Sequence, residues 1–397
     1  MGVNAPLDDE DGGQVATATE RYLQLQRAGG FAAAVLTTAL AFLAGGIVVV
    51  VTTGKAPWGV YSAIFDGAGL NWFLPWVSGA ERVDAGYNLQ QTLLVTTTLI
   101  LTGLAVAFAF RCGLFNIGGQ GQYLVGSVFA VWIGSSLPGL NPVAHILFAV
   151  VVASLAGAAW AGIAGVLKAT VGAHEVITTI MLNWIAIYVA DTLFGLGGPL
   201  QSPDAADNTI SRDVVDNAKL PIIWGDPLLQ GLSVGIFVAL AALVVYWLTV
   251  NRTTLGFGVR AVGANAEAAR YSGISVARST VIAMLVSGAF AGLAGAMDIL
   301  GWQFRISTTD IAASQVGFTG IAVALLGRNT AVGVGLSALL FAALEVGTST
   351  RNLNAVIAPE LAQNLTLLIQ GLVILFVGAD LVVLVFLARL RRRLGRV

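Results

Sequence analysis

Charged residues are scarce in this sequence. Only 10% of its 397 residues are Asp, Glu, Lys or Arg, against about 25% in a typical soluble domain. Hydrophobic residues make up 57% of the chain, and the mean hydropathy is +0.84. Several apolar runs approach the ~20 residues needed to cross a ~30 Å hydrocarbon core. The composition therefore predicts an all-α polytopic membrane protein, a multi-pass protein of the cell (plasma or inner) membrane whose surroundings are the lipid bilayer.

Cysteine and histidine are also nearly absent, and this limits the possible chemistry. Cys112 stands alone, and His145 and His174 are the only histidines, so an internal disulfide or a Cys/His metal cluster is excluded. A net charge of -1 excludes a nucleic-acid partner that is bound through bulk charge. The sequence has no GxxxxGK[ST] phosphate-binding loop, no nucleophile elbow and no HExxH motif. We expect no catalytic residue, no metal ligand and no cofactor bound by this chain.

Apolar runs predict about ten transmembrane helices, and eight crossings are the alternative. The runs cover residues 31–52, 89–110, 119–137, 143–167, 175–196, 228–250, 279–301, 313–327, 331–350 and 361–387. The third and eighth runs are short or interrupted by glycine, so we expect them to be broken or re-entrant. Small residues from Ser287 to Gly295 predict close helix packing in the seventh run.

The distribution of basic residues predicts that both termini are cytoplasmic. With ten crossings, 14 of the 20 Lys and Arg residues fall on the cytoplasmic side, as the positive-inside rule requires. The chain then divides into an acidic N-terminal extension (1–30), a transmembrane domain (31–387) and a basic tail (388–397). Ten crossings also place two sets of spans in opposite orientation, which is the arrangement of a possible inverted repeat.

A polar segment, residues 251–279, separates two apolar runs and carries four arginines against one acid, Glu267. Its centre predicts a short helix, because Asn265 can cap the first N–H groups and Gly273 can adopt the left-handed C′ conformation. Glu267 favours the positive N-terminal end of that helix. The segment is compatible with a docking element for a cytoplasmic partner and, equally, with a solvated connector whose arginines fix topology.

Amide side chains lie among three glycines just before and within the third run. They are Asn116, Gln120 and Gln122. Neutral amides can bind uncharged polar ligands such as sugars or nucleobases, so all three are candidate pathway residues. They can also satisfy backbone groups at a break and join helices, and this interpretation is favoured for any single amide.

Ionisable residues inside apolar runs form a second group of pathway candidates. Each costs about 2.5–3.5 kcal/mol at the centre of a membrane helix on insertion scales. The candidates are Glu175, Asp191, Asp298, Glu345 and Asp380. Asp298 and Glu345 lie towards the outer ends of their runs and are expected to line an external entrance. Any basic partner must come from another helix.

Five motifs spread over residues 113 to 328 resemble one family. They are Gly113-Leu-Phe-Asn116-Ile-Gly118-x-x-Gly121-Gln122, Glu175-Val-Ile-x-Thr179-Ile-Met-Leu-Asn183, Arg260-Ala-Val-Gly263-x-Asn265-x-x-Ala268-Ala269-x-x-x-Gly273-Ile274, the small-residue face, and Gly317-Phe-x-Gly320-Ile-Ala-Val-Ala-Leu-Leu-Gly327-Arg328. Together they resemble permease subunits of ABC importers for nucleosides and simple sugars. That group includes ribose-type permeases and those that work with a basic-membrane-lipoprotein type of binding protein. Gln120 departs from the pattern, since the family often has Glu there.

The resemblance implies that the polar segment couples the permease to a separate ABC ATPase subunit, which hydrolyses the ATP. The coupling residues would be Arg260, Gly263, Asn265, Ala268, Ala269 and Gly273. It also implies a second permease subunit, usually a related chain, an extracytoplasmic substrate-binding lipoprotein, and a pathway role for Asn183. Nucleosides are the preferred cargo, then monosaccharides, with branched-chain amino acids third. The alternative function is an ion-gradient-driven secondary transporter of a small polar solute.

Overall fold

The structure is a computed structural model, and it describes residues 38–52, 54–226 and 230–349 with isolated positions between 364 and 375. The predicted N-terminal extension (1–30), most of the tenth apolar run with Asp380, and the tail (388–397) lie outside the described residues.

Helices make up nearly all of the regular structure. They are α1 Thr38–Thr52, α2 Pro57–Gly67, α3 Gly79–Arg111, α4 Gly119–Gly134, α5 Pro142–Val171, α6 Glu175–Phe194, α7 Gly235–Arg252, α8 Thr254–Ala264, α9 Ala266–Tyr271, α10 Val276–Asp298, α11 Thr308–Ala313, α12 Val316–Leu326 and α13 Ala331–Gly347. A π-helical turn, Ile299–Gln303, continues α10. Two short strands, β1 Ile222–Trp224 and β2 Leu232–Ser233, pair antiparallel.

Six described helices are long and apolar enough to cross a membrane, and a seventh crossing arises if the bent pair α1–α2 is counted as one span. The six are Gly79–Arg111, Pro142–Val171, Glu175–Phe194, Gly235–Arg252, Val276–Gln303 and Thr308–Leu326. This confirms a polytopic helical membrane protein. The third predicted run is the 16-residue α4, and the eighth is interrupted at residues 314–315, between α11 and α12.

Helices α3 and α10 form the centre of the bundle. In the most apolar 18-residue stretch of each helix, 83% of the residues are buried in α3 and 67% in α10, whereas 28% are buried in α5 and in α6. The small-residue face of α10 makes this packing possible. A Cβ atom at Gly292 would lie 2.3 Å from the Ala153 carbonyl oxygen of α5, and one at Gly288 would lie 2.2 Å from the Gly157 oxygen. The close packing predicted from residues 287–295 is therefore confirmed.

The long connection between α6 and α7 is fastened to the end of α10. The amide of Leu220 donates to the Leu300 carbonyl at 2.8 Å, and that of Val214 donates to the Phe304 carbonyl at 2.8 Å. The bundle thus has one end where α10 begins beside α9, and another where it ends beneath this connection. We refer to these as the polar-segment end and the cavity end.

Candidate functional site

A cavity of about 440 Å³ lies at the cavity end. Side chains from six elements converge on it, since α3, α4, α11, α12, α13 and the end of α10 all contribute. The lining residues are Val95, Thr98, Leu99, Tyr123, Leu124, Gln230, Asp298, Trp302, Gln303, Arg305, Ile306, Asp310, Ile311, Ala313, Ser314, Val316 and Glu345. Asp298 and Glu345, both candidates from the sequence, therefore meet at one cavity although 47 positions separate them in the chain.

The Asp298 carboxylate is held by three donors from three elements. Thr98 and the indole Nε1 of Trp302 donate to Oδ1, the latter at 3.0 Å, and the Tyr123 hydroxyl donates to Oδ2 at 2.7 Å. The side chain is 3% exposed. A buried carboxylate needs such partners, because burial without them costs several kcal/mol. The three bonds fix Asp298 in the wall of the cavity.

Glu345 is placed differently, on α13 and exposed. Within the described part of the chain, no hydrogen bond or ion pair occupies its carboxylate. Two other charged residues line the cavity. Asp310 closes a capping box with Ser307, whose hydroxyl donates to Oδ2 at 2.7 Å, and Arg305 lies 3.9 Å from the Asp213 carboxylate. Glu345 is thus the carboxylate that is free to accept hydrogen bonds from a ligand.

Three of the amide candidates make buried hydrogen bonds around the break before α4. The Asn116 side chain and that of Gln122 exchange two hydrogen bonds, of 2.9 and 3.0 Å, and Asn116 also donates to Ser287 Oγ at 2.7 Å. The Asn183 oxygen accepts from the Gly121 amide at 2.8 Å, and its Nδ2 donates to the Ile117 carbonyl at 2.9 Å. These bonds tie α4 to α6 and α10 and satisfy backbone groups at the break before α4.

Gln120 belongs to the same region but keeps one polar group unpaired. Its Oε1 accepts from the Gly317 amide at 2.8 Å, at the start of α12. Its Nε2 is buried without a hydrogen-bond partner among the described residues. The residue is 1% exposed. None of the four amide candidates lines the cavity. Two of them adjoin lining residues, since Gln122 precedes Tyr123 and Gln120 accepts from Gly317, which follows Val316.

The acid at the start of α6 pairs with a neighbouring helix, as expected from the sequence. Lys168, near the end of α5, places its Nζ 2.7 Å from the Glu175 carboxylate. Glu175 is 8% exposed. This ion pair lies at the polar-segment end, because Gly165 near the end of α5 packs against Val281 and Met284 near the start of α10.

The polar segment contains two helices, α8 and α9, and the predicted short helix is confirmed. The Asn265 side chain accepts from the amides of Glu267 and Ala268, both at 3.0 Å. At the other end Gly273 has φ +82°, and the amides of Gly273 and Ile274 donate to the carbonyls of Arg270 and Ala269. This is the Schellman arrangement. Helix α8, in contrast, was not predicted.

The coupling candidates divide into packed and exposed residues. Ala269 is buried, Arg260 is partly buried and donates Nε–H to the Gly256 carbonyl at 3.3 Å, and Ala268 and Asn265 are exposed. Gly263 touches the end of α3, since a Cβ atom there would lie 2.3 Å from the Arg111 carbonyl oxygen. Tyr271 is 93% exposed on the same segment. The segment thus rests on the bundle with one face and offers the other to solvent.

At the polar-segment end, the end of α3 and helix α7 are both hydrogen-bonded to the turn between α12 and α13. The Arg111 guanidinium donates two hydrogen bonds to the Asn329 carbonyl, at 3.1 and 2.6 Å, and the Tyr246 hydroxyl donates to the same oxygen at 2.7 Å. Asn329 has φ +54° in the turn between α12 and α13. The adjacent Cys112 thiol is 3% exposed, and this burial raises its pKa to about 11.

Helix α10 connects the two sites. It begins beside α9, carries Ser287 at the amide network, and ends with Asp298 in the cavity wall. Its 23 residues rise about 34 Å at 1.5 Å each. Sequence inspection missed Thr98, Tyr123 and Trp302 around Asp298; only Trp302, four residues later on the same helical face, had a local signal.

Buried polar groups along one central helix, a polar cavity at one end and an exposed polar segment at the other define the class as a multi-pass membrane transport protein. The chain belongs to the family described as branched-chain amino acid transport system / permease component, whose model matches residues 88–378. As a member of this family it is a permease subunit of an ABC transporter and is not itself catalytic.

Similar proteins carry several cargo names. The guanosine ABC transporter permease protein NupP of Bacillus subtilis is 38% identical, over 88% of this chain and 94% of its own length. The glucose ABC transporter permease protein TsgB13 of Haloferax volcanii is 36% identical over 85% of both chains. The nucleoside ABC transporter permease protein NupB of Lactococcus lactis is 34% identical over 78% and 84%. No solved structure matches the chain significantly.

Proposed function

We propose that this permease subunit forms part of the translocation pathway for nucleosides, with simple sugars as the second choice of cargo. The observation that carries the proposal is the position of Asp298 and Glu345 on one cavity of about 440 Å³. A cavity of this size suits a small polar solute. Two relatives are named for guanosine or nucleosides and one for glucose, and all of these molecules present several hydroxyl or N–H donors.

We further propose that the polar segment is cytoplasmic and docks on a separate ABC ATPase subunit. The support is its shape, because α8 and α9 expose Glu267, Arg270 and Tyr271 while Ala269 faces the bundle. A six-residue helix such as α9 is marginal alone, so its cap, its Schellman motif and its packing make it a preformed docking element.

The complete transporter in this proposal has ten crossings, with both termini cytoplasmic and a possible inverted repeat. It pairs this chain with a second, related permease subunit and receives its cargo from an extracytoplasmic substrate-binding lipoprotein. The cavity end then faces the outside, where the binding protein releases the solute. The second permease subunit completes the pathway.

The test starts from the tagged chain, purified in mild detergent from its native membrane with its co-purifying proteins identified. We expect an ATP-binding subunit and a second multi-span protein. The complex, reconstituted with the binding protein, should take up radiolabelled guanosine or uridine when ATP is supplied. A chain that purifies alone and transports without ATP in an ion gradient would contradict the proposal.

Changes in the polar segment should uncouple transport from ATP hydrolysis. Arg260→Glu reverses a charge on α8, and Gly273→Val forces a β-branched residue into φ +82°, where only glycine is unstrained. We expect each variant to insert normally and to lose at least about tenfold in ATP-driven uptake, since each 1.4 kcal/mol of lost coupling is tenfold.

Arg212→Glu is the matched control, because this exposed arginine lies in the connection between α6 and α7. It should transport normally. Wild-type uptake by either polar-segment variant, together with normal ATPase association, would refute the coupling role.

A further inference from the structure

The cavity wall carries an excess of acidic groups. Among its lining residues are the carboxylates of Asp298, Asp310 and Glu345 and a single guanidinium, that of Arg305. The guanidinium also lies 3.9 Å from the carboxylate of Asp213, which is outside the lining. Its positive charge is therefore partly neutralised by that carboxylate. Every other lining residue is uncharged.

The hydrogen bonding of Asp298 favours its ionised form. The indole N–H of Trp302 can only donate, and it donates to the same oxygen as Thr98, while Tyr123 donates to the other. Accepting from all three donors offsets part of the cost of burying this carboxylate. Glu345 has no such donors among the described residues, so its carboxyl oxygens are available to whatever enters the cavity.

Such an arrangement acts on the charge of a solute. In a site with low-dielectric walls, charges several ångströms apart interact far more strongly than in water, and rings of Asp and Glu side chains select against anions in membrane pores. A neutral, hydroxyl-rich solute avoids this repulsion and can donate hydrogen bonds to Glu345. A phosphomonoester dianion brings two negative charges to the same wall and has only acceptors on its phosphate.

We propose that the cavity is an electronegative selectivity filter, in which Glu345 is the specificity-determining residue that admits neutral solutes and excludes their phosphorylated forms. The choice of nucleosides as the neutral solute rests on the proposed function above. The filter would prevent passage of nucleotides even when an external binding protein tolerates them.

The sign of the cavity potential can be measured with charged thiol reagents. Ala313 is exposed on α11 and lines the cavity, whereas Ala312 is exposed on the same helix and does not. Single Ala313→Cys and Ala312→Cys variants of the purified complex would be treated with the cationic trimethylammonioethyl and the anionic sulfonatoethyl methanethiosulfonates. The native Cys112 is buried and should contribute no background.

We expect the cationic-to-anionic rate ratio at position 313 to exceed that at position 312 by at least about tenfold, the effect of 1.4 kcal/mol of differential potential. Adding Glu345→Gln should lower the ratio at position 313 at least about threefold, and Glu345→Asp should preserve it. Equal ratios at both positions, or a ratio that Glu345→Gln leaves unchanged, would overturn the proposal.

Ligand protection separates this filter from the proposed cargo. Guanosine should slow labelling at position 313, and guanosine 5′-monophosphate at the same concentration should not. Equal protection by the monophosphate would overturn the filter. A charge preference with no protection by any nucleoside or sugar would refute the cargo in the proposed function and would leave the exclusion of anions standing.

Discussion

At the scale of single residues, Asp298 is a buried carboxylate held by three hydrogen-bond donors. Asp298→Asn replaces a carboxylate oxygen with an NH₂ group facing donors, and the Trp302 indole cannot accept from it. We expect a loss of about 1–3 kcal/mol, the cost of a buried polar group left without a partner. The measurement is the thermal unfolding midpoint of the purified chain in detergent.

Asp191→Asn is the control for this prediction, since Asp191 is exposed near the end of α6 and lies outside the cavity lining. Its midpoint should equal that of the wild type. Trp302→Phe should show an intermediate loss because it removes one of the three donors. An Asp298→Asn protein that unfolds at the wild-type temperature would show that the three hydrogen bonds do not stabilise the packing of the cavity wall.

Cys112 should be inert in the folded protein. Its thiol is 3% exposed and its pKa is about 11; the reactive species is the thiolate, which is then about one part in ten thousand at pH 7. We expect N-ethylmaleimide to leave the folded chain unmodified at pH 7 and to modify it fully in denaturant, as read by mass spectrometry. Rapid stoichiometric modification of the folded wild type would contradict the burial of this residue.

At the scale of elements, the contact between α5 and α10 depends on glycines, which have no side chain to hold the two backbones apart. Gly292→Leu must displace the backbone of α5, because even a Cβ atom at this position would lie 2.3 Å from the Ala153 carbonyl oxygen and 3.1 Å from Ser154 Cα. We expect a loss of about 1–3 kcal/mol or more from overpacking, seen as a lower unfolding midpoint and less monodisperse protein in size-exclusion chromatography.

Gly59→Leu is the matched control, because a Cβ atom at this exposed helical glycine of α2 meets nothing within 4 Å. It should behave as the wild type does. If Gly292→Leu were equally well tolerated, the two helices would have to be able to separate without cost.

The elements that the sequence predicted are those with local signals. Asn265, Glu267 and Gly273 lie within nine positions of one another and define α9 by themselves. Helix α8 was missed because Gly256, Gly258 and Gly263 lower its intrinsic helix propensity, and packing against α7, α10 and the end of α3 overrides that preference. The bounds of helix α2 had no clear signal, because Pro57 is typical of a turn and is equally well suited to the first position of a helix.

The environment of Asp298 shows the limit of prediction at this scale. Its partners Thr98 and Tyr123 lie 200 and 175 positions away in the chain. Within their own runs they are ordinary polar residues of apolar helices, so neither has a local signal. Only the packing of α3 and α4 on α10 brings them to one carboxylate.

At the scale of the whole molecule, composition predicted the membrane class and the motifs predicted the family. Neither the composition nor the motifs identify the cargo, since relatives of 34–38% identity are named for guanosine, nucleosides and glucose. In the proposed function, the residues that line the cavity, Glu345 among them, are the positions at which permeases for different cargoes would differ.

The backbone contact between α5 and α10 also determines how a displacement at one end of the bundle is transmitted to the other end. The two helices pack backbone to backbone at Gly157, Gly288 and Gly292, so the pair resists bending more than a single helix does. The polar segment lies at one end of this pair and Asp298 at the other. A tilt of about 5° over about 34 Å moves the far end by about 3 Å. That displacement would be enough to break the hydrogen bonds of Asp298 to Thr98 and Tyr123, so in the proposed function a push on the polar segment would open the cavity at the other end of the bundle.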